Sequence, residues 1–251
     1  MSAEPLLEVR DLSKRFGGLQ AVSEVGFRLG AGELRCIIGP NGAGKSTLFK
    51  LLLGSIRPDA GTIRFAGIDV TRREPHSRAR LGIGIKFQNL AVYQHLTVRH
   101  NLLLPLSHHC RGSALDAEAA RLLARLDLSG SEGRLAGSLS HGQKQWLAIG
   151  MALAMKPRLL LLDEPTAGMG PEETRATGEL IHAVQAEGVA ALVVEHDMAF
   201  VRQLGAPVVV MHTGRVFAEG TLAEIESHED VRRIYLGATA PRRRRAARPS
   251  S

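Results

Sequence analysis

Apolar and polar positions alternate in two different rhythms along this chain. Near the N-terminus, "LLEVRDLSKRF", "EVGFRL", "LRCIIG" and "TIRFAGIDV" are short apolar runs cut by Gly, Asp and Ser, the pattern of strands joined by turns. Between the third and fourth, "STLFKLLLG" puts Leu48, Leu51 and Leu52 on one helical face, with Gly54 as a stop and Pro58 beyond it. From about 97 to 155 the rhythm is helical, in "TVRHNLLLPL", "DAEAARLLARLDL" and "GQKQWLAIGMALAM". "RLLLLDEP" and "AALVVEHD" are continuous apolar runs, as expected of strands covered on both faces of a parallel sheet, and the helix "PEETRATGELIHAVQAEG" separates them. Strand alternating with helix predicts an α/β fold on a mostly parallel sheet, with a helical block inserted in the middle.

Composition changes this picture little. A chain of 251 residues, 44% of them hydrophobic, can bury a sizeable core. Its apolar runs are far shorter than the roughly 18 residues that would cross a bilayer, and "MSAEPLLEVR" lacks the basic and apolar regions of an export signal. Cys36 and Cys110 lie far apart without metal-type spacing and read as reduced thiols. "SHHC" at 107–110 reads as a group of surface residues. The net charge of +7 is concentrated in the last eleven residues, "PRRRRAARPSS", which hold five arginines and leave the body near +2. The balanced body gives no reason to expect a nucleic-acid partner. The tail reads as a disordered segment that is either solvated or held by anionic lipid headgroups.

The strongest chemical motif is "GPNGAGKST", comprising Gly39, Pro40, Asn41, Gly42, Ala43, Gly44, Lys45, Ser46 and Thr47. It fits G-x-x-x-x-G-K-[ST] and lies between an expected strand and an expected helix. Its glycines let backbone N–H groups converge on phosphate oxygens, and the helix start adds the positive end of its dipole. Lys45 is placed to reach the β- and γ-phosphates, and the Ser46 hydroxyl to ligate Mg²⁺. Downstream, "LLLLDE" ends a buried strand in two carboxylates, at the sheet edge where ligands of such folds bind. Asp163 is the candidate for holding Mg²⁺ through water, and Glu164 the candidate base that polarises the attacking water. A second anion-binding helix start stands at "LSHGQKQWLAIG", where Ser140 and Gly142 occupy the N-cap and first turn, ahead of a packed face of Trp146, Leu147, Ile149, Gly150 and Leu153. Because one P-loop cradles one triphosphate, this second site is expected to serve a nucleotide held by another chain.

With these motifs in this order, the chain resembles the ATPase subunit of an ATP-binding cassette (ABC) transporter over residues 6–237. The resemblance implies a P-loop ABC ATPase core with an N-terminal antiparallel β-subdomain. It also implies one domain over 1–240, with the helical subdomain inserted at about 89–156, followed by the basic tail at 241–251. Phe16 matches the aromatic residue that stacks on adenine. Gln88, in "KFQN", matches the glutamine that touches Mg²⁺ and water and signals to the membrane domain. "LSHGQ" matches the signature, so that Ser140, Gly142 and Gln143 would close on the γ-phosphate of a partner's ATP. His196, in "VVEHDM", matches the switch histidine that contacts the γ-phosphate. The implied catalytic set is Glu164, His196 and Gln88, with Mg²⁺ held by Ser46, Gln88 and Asp163. The implied partners are a second cassette, identical or paralogous, two integral membrane permease subunits and, indirectly, a periplasmic or extracellular solute-binding protein. Peripheral attachment to the cytoplasmic face of the cell membrane follows from the same likeness.

"FGGLQAV", "HLTVRHNLLL" and "AEGTLAEIESHEDVRRIYLG" are similar to branched-chain amino acid importers, while "KFQ", "LSHGQKQWLAIGM" and His141 in particular are similar to the urea and short-chain amide branch. Two departures stand out: Ile85 in place of the usual Arg, and Gly170 in place of the aspartate of the loop after Asp163 and Glu164. A small-molecule kinase has no use for "LSHGQ". An ABC protein of translation usually carries two cassettes, and a DNA-repair relative a long coiled coil. An importer for another small polar solute and a regulatory ABC ATPase stay open as alternatives.

Overall fold

The computed structural model of the chain describes residues 4–86 and 92–236, so Gln88 and the tail at 241–251 lie outside the described residues. The chain opens with an antiparallel hairpin, β1 (Leu7–Phe16) and β2 (Leu19–Leu29), followed by β3 (Leu34–Ile38) and α1 (Lys45–Leu53). β4 (Ala60–Phe65) and β5 (Ile68–Asp69) come next, then α2 (Pro75–Leu81) and β6 (Ile83–Lys86). Three helices follow: α3 (Val98–Leu106), α4 (Ser113–Arg125) and α5 (His141–Ala154). The remainder runs β7 (Leu159–Asp163), α6 (Pro171–Ala186), β8 (Ala190–Val194), α7 (Met198–Leu204), β9 (Val208–His212), β10 (Arg215–Gly220), α8 (Leu222–Ser227) and α9 (Glu229–Leu236).

The strands form two sheets, an antiparallel one ordered β2-β1-β4-β5 and a six-stranded one ordered β10-β9-β3-β8-β7-β6. In the larger sheet β9, β3, β8, β7 and β6 pair in parallel, and only β10 runs antiparallel. Its central strands are apolar apart from Arg35 and the terminal Asp163, because each face fills a different core. Cys36, Ile38, Leu160 and Leu162 point into a cluster shared with α3 to α7, whereas Ile37, Leu159 and Leu161 point into one shared with α1 and the antiparallel sheet. This is the physical basis of the apolar "CII" and "LLLL" runs.

The fold agrees with the α/β reading and the antiparallel N-terminal sheet. It differs locally at "TIRFAGIDV", which is a hairpin rather than a single strand. Ala66 (φ +49°) and Gly67 (φ +76°) turn the chain after Phe65, and Arg64 pairs back to Asp69. A buried cation also appears where none was expected. Arg78 donates to the carbonyls of Leu51 and Leu52 at 2.7 and 2.6 Å, closing the C-terminal end of α1, and further to Arg73 O and Thr71 O. Burial lowers its pKa to about 10.

Candidate nucleotide site

Parallel pairing brings the C-terminal ends of β3, β6, β7 and β8 to one edge of the sheet, and the sequence places its chemistry at those ends. The loop 39–44 leaves β3 and enters α1 at Gly44, whose φ is +100°. A β-carbon on Gly44 would lie 2.3 Å from the carbonyl oxygen of Ala21, so the hairpin β1–β2 presses directly against the loop. α1 has neither a side-chain cap nor an acid in its first turn, which leaves its N-terminal amides available to an anion. Lys45 is buried, and its Nζ turns back to donate to Gly39 O at 2.5 Å and Pro40 O at 3.1 Å. Burial lowers its pKa, while Glu164 and Asp163 oppose that shift by attraction. Ser46, in the same first turn, is exposed.

Asp163 closes β7 and Glu164 follows it in the left-handed region, at φ +45°. Burial raises the Asp163 carboxyl pKa, the neighbouring Glu164 adds to the rise, and Lys86 and Lys45 counter it. Such a carboxyl is suited to gaining a cation. A serine hydroxyl and a carboxylate are hard oxygen donors, the set that Mg²⁺ prefers. The Glu164 amide donates to Val194 O at 3.0 Å, and its Oε1 lies 3.5 Å from Nδ1 of His196, two residues beyond β8. Lys45, Asp163, Glu164 and His196 thus converge at one sheet edge. Phe16 closes β1, half exposed, with Lys14 Nζ 5.6 Å from its ring centre.

The signature residues stand at the start of α5, beside the loop that follows Glu164. Ser140 caps α5 by accepting from the Gln143 amide at 3.1 Å, and Gln143 Oε1 accepts in return from the Ser140 amide at 3.1 Å. Gly142 packs so tightly that a β-carbon there would lie 2.2 Å from Glu173 Oε1. Among the described residues, no hydrogen bond joins Ser140, Gly142 or Gln143 to residues 39–47.

Three features escaped the sequence reading. Lys86 ends β6 fully buried, with Nζ donating to Asp163 O at 3.1 Å and Glu164 O at 3.0 Å. Burial brings its pKa down to about 8. Glu195, also buried, accepts from the Thr166 hydroxyl at 2.7 Å and from the His196 amide at 3.1 Å. The third is Gln145, buried within the helix whose neighbours Leu147 and Ile149 were expected to face the core. The only available signal for the first two was a charge ending an otherwise apolar strand run.

Residues 22–167 match the family model described as ABC transporter. The chain is 36% identical to the high-affinity branched-chain amino acid transport ATP-binding protein BraF of Pseudomonas aeruginosa, over 94% of this chain and 99% of that protein. The ADP conformation of MJ1267, an ATP-binding cassette of an ABC transporter, superposes with a TM-score of 0.85 at 29% identity, covering 94% of this chain and all of that one. A dimeric post-hydrolysis state of the ATP-binding cassette MJ0796, bound to ADP and Pi, gives 0.77 at 26% identity over 86% of this chain and 98% of that one. The chain belongs to the ABC transporter family. It is an ATP-binding, ATP-hydrolysing cassette, and the likeness to BraF extends along nearly its whole length.

Proposed function

We propose that this chain powers a membrane importer, working as one of two cassettes that share their nucleotide sites. The observation that carries the reading is the separation within one chain. Lys45, Asp163, Glu164 and His196 sit together at one sheet edge, while the capped start of α5 leaves Ser140 and Gln143 accessible and, among the described residues, makes no hydrogen bond to residues 39–47 of its own chain. On binding ATP, Lys45 exchanges the carbonyls of Gly39 and Pro40 for β- and γ-phosphate oxygens, and residues 39–47 supply backbone N–H groups. Phe16 stacks on the base. Ser46, Gln88 and Asp163 would hold Mg²⁺, which would supply neutralisation of phosphate charge. Glu164 orients and polarises the attacking water, and His196 contacts the γ-phosphate from the end of β8. Ser140, Gly142 and Gln143 of the second cassette close the site, so that loss of the γ-phosphate loosens the pair.

We place the whole as one cassette over 1–240, with a helical subdomain at about 89–156 and a basic tail at 241–251. Among the described residues no helix is long and apolar enough to cross a membrane. Attachment to the cytoplasmic face through permease subunits belongs to the same proposal. An apolar groove of about 680 Å³, lined by Ile85, Tyr93, Leu104, Ala148 and Met151, offers them a docking surface between β6, α3 and α5. The likeness to BraF supports a branched-chain amino acid as the solute. His141 in the signature favours urea or a short-chain amide, and uptake of the labelled compounds by the reconstituted complex separates the two.

The test of the shared site is Glu164→Gln, which keeps the shape and removes the base. With ATP and Mg²⁺ the variant is expected to run as a dimer at twice the 27.0 kDa of the chain and to lose turnover. A variant that stays monomeric across millimolar ATP overturns the homodimeric form of the reading.

A further inference from the structure

Glu164 holds a backbone conformation that residues with a β-carbon seldom adopt, and its carbonyl and that of Asp163 both point into the protein. Something must hold that turn, and two buried charged side chains do so from either side. From β6, the Lys86 ammonium donates to Asp163 O and Glu164 O. From the end of β8, the Glu195 carboxylate gathers four donors. Its Oε1 accepts from the Thr166 hydroxyl at 2.7 Å and the Thr166 amide at 3.3 Å, and its Oε2 from the amides of His196 at 3.1 Å and Asp197 at 3.5 Å. Each side chain is only 1% exposed, so neither can reach a nucleotide. Every bond goes to the backbone or hydroxyl groups of the segment 163–166 and of the segment carrying His196.

We propose that Lys86 and Glu195 are positioning residues for ATP hydrolysis, clamping the Asp163–Thr166 turn and the His196 segment so that Glu164 and His196 face each other across the site. The proposal rests on the reading of Glu164 and His196 as the hydrolytic pair. Removing a single bonded buried charge costs stability wherever it stands, because its partners are left unpaired. Here the bonds end on the residues that bear the chemistry, so the replacement is expected to lower turnover beyond any loss of nucleotide affinity, with the thermal midpoint reporting the stability part separately.

The experiment uses the full chain and compares Lys86→Met, Glu195→Gln and the milder Thr166→Val, which removes one donor to Glu195 without changing shape. Affinity for a fluorescent ATP analogue, kcat, KM and the thermal midpoint are measured for each, with Glu164→Gln as the reference. The expected result is a kcat reduced about tenfold or more in Lys86→Met and severalfold in Thr166→Val, with nucleotide affinity within twofold of the parent. Combining Lys86→Met with Thr166→Val is expected to cost less than the product of the two, because both release one turn. If Glu195→Gln fails to fold, the other two variants decide the matter. Unchanged kcat in Lys86→Met and Thr166→Val overturns the proposal, as does a parallel loss of affinity and kcat. If Glu164→Gln itself turns over at the parental rate, the underlying reading of the site fails instead.

Discussion

The imidazole Nε2 of His141 lies 2.9 Å from the carbonyl oxygen of Ala167, tying the first residue of α5 to the loop that follows Glu164 in the same chain. Gln145, one turn on, approaches the same carbonyl at 3.4 Å, and Trp146 Nε1 donates to the Thr177 hydroxyl of α6 at 2.9 Å. The inserted helices are thereby fastened to the catalytic sheet at the signature itself. His141→Gly removes the first fastening and places glycine in a helix. The combined loss of about 1 kcal/mol is expected to lower the thermal midpoint by about 2–4 °C for a chain of this size. Binding of nucleotide to the isolated chain should not change. A thermal scan and an ATP titration check both parts, and a shifted ATP affinity would argue against the separation of the two sites.

Gly142 is held against Glu173, whose Oε2 also accepts from the Gly170 amide at 3.1 Å at the start of α6. In Gly142→Ala the carboxylate must swing away and the cap on α6 is lost, at a cost of about 1 kcal/mol. The midpoint of thermal unfolding is expected to fall in the parent and to fall less in a Glu173→Ala background, where the obstacle is already gone. Equal penalties in the two backgrounds would show that the contact carries no energy.

Phe16 presents a half-exposed ring at the end of the hairpin whose Ala21 carbonyl abuts Gly44. Removing the ring in Phe16→Ala forfeits a stacking energy of about 0.5–1.5 kcal/mol, which corresponds to roughly a 2- to 13-fold weaker binding of ATP. Equilibrium titration measures it, and an unaltered affinity rejects the adenine assignment.

Cys36 is buried on β3, and burial followed by the nearby Glu195 charge pushes its thiol pKa up to about 12, from an ordinary value of 9.0. The folded chain therefore keeps this proton over a window in which the unfolded chain releases it. With more protons bound to the native state, the group's contribution to stability declines as pH rises from about 9 toward 12. At neutral pH a thiol reagent should label the partly exposed Cys110 in the native chain and reach Cys36 only after unfolding. Rapid labelling of both thiols under native conditions would contradict this burial.

The parts of the fold that could be read from the residues alone share one property: their signal is local. "GPNGAGKST" between a strand and a helix, and "LLLLDE" ending a strand, carry their meaning within nine and six residues, and the structure puts both at one sheet edge. The hairpin at Ala66–Gly67 looks like one strand in the sequence because its turn is only two residues long and sits inside an apolar run. Lys86 and Glu195 were not legible for a different reason. Their partners lie 77 and 29 positions away, at Asp163 and Thr166, and a lone charge at a strand end looks the same whether it faces solvent or a carbonyl. Likewise the burial of Arg78 depends on the C-terminal end of α1, 26 residues earlier.

The left-handed backbone of Glu164 has a consequence for anyone who evolves or redesigns this chain. A side chain in that conformation costs about 1 kcal/mol that glycine would not, so the position is a standing temptation to any selection that rewards heat tolerance alone. Glu164→Gly relaxes the turn and deletes the carboxylate in one step. A library screened only for survival on heating is therefore expected to enrich well-folded cassettes that no longer turn over, and selection on this scaffold has to be tied to hydrolysis from the first round.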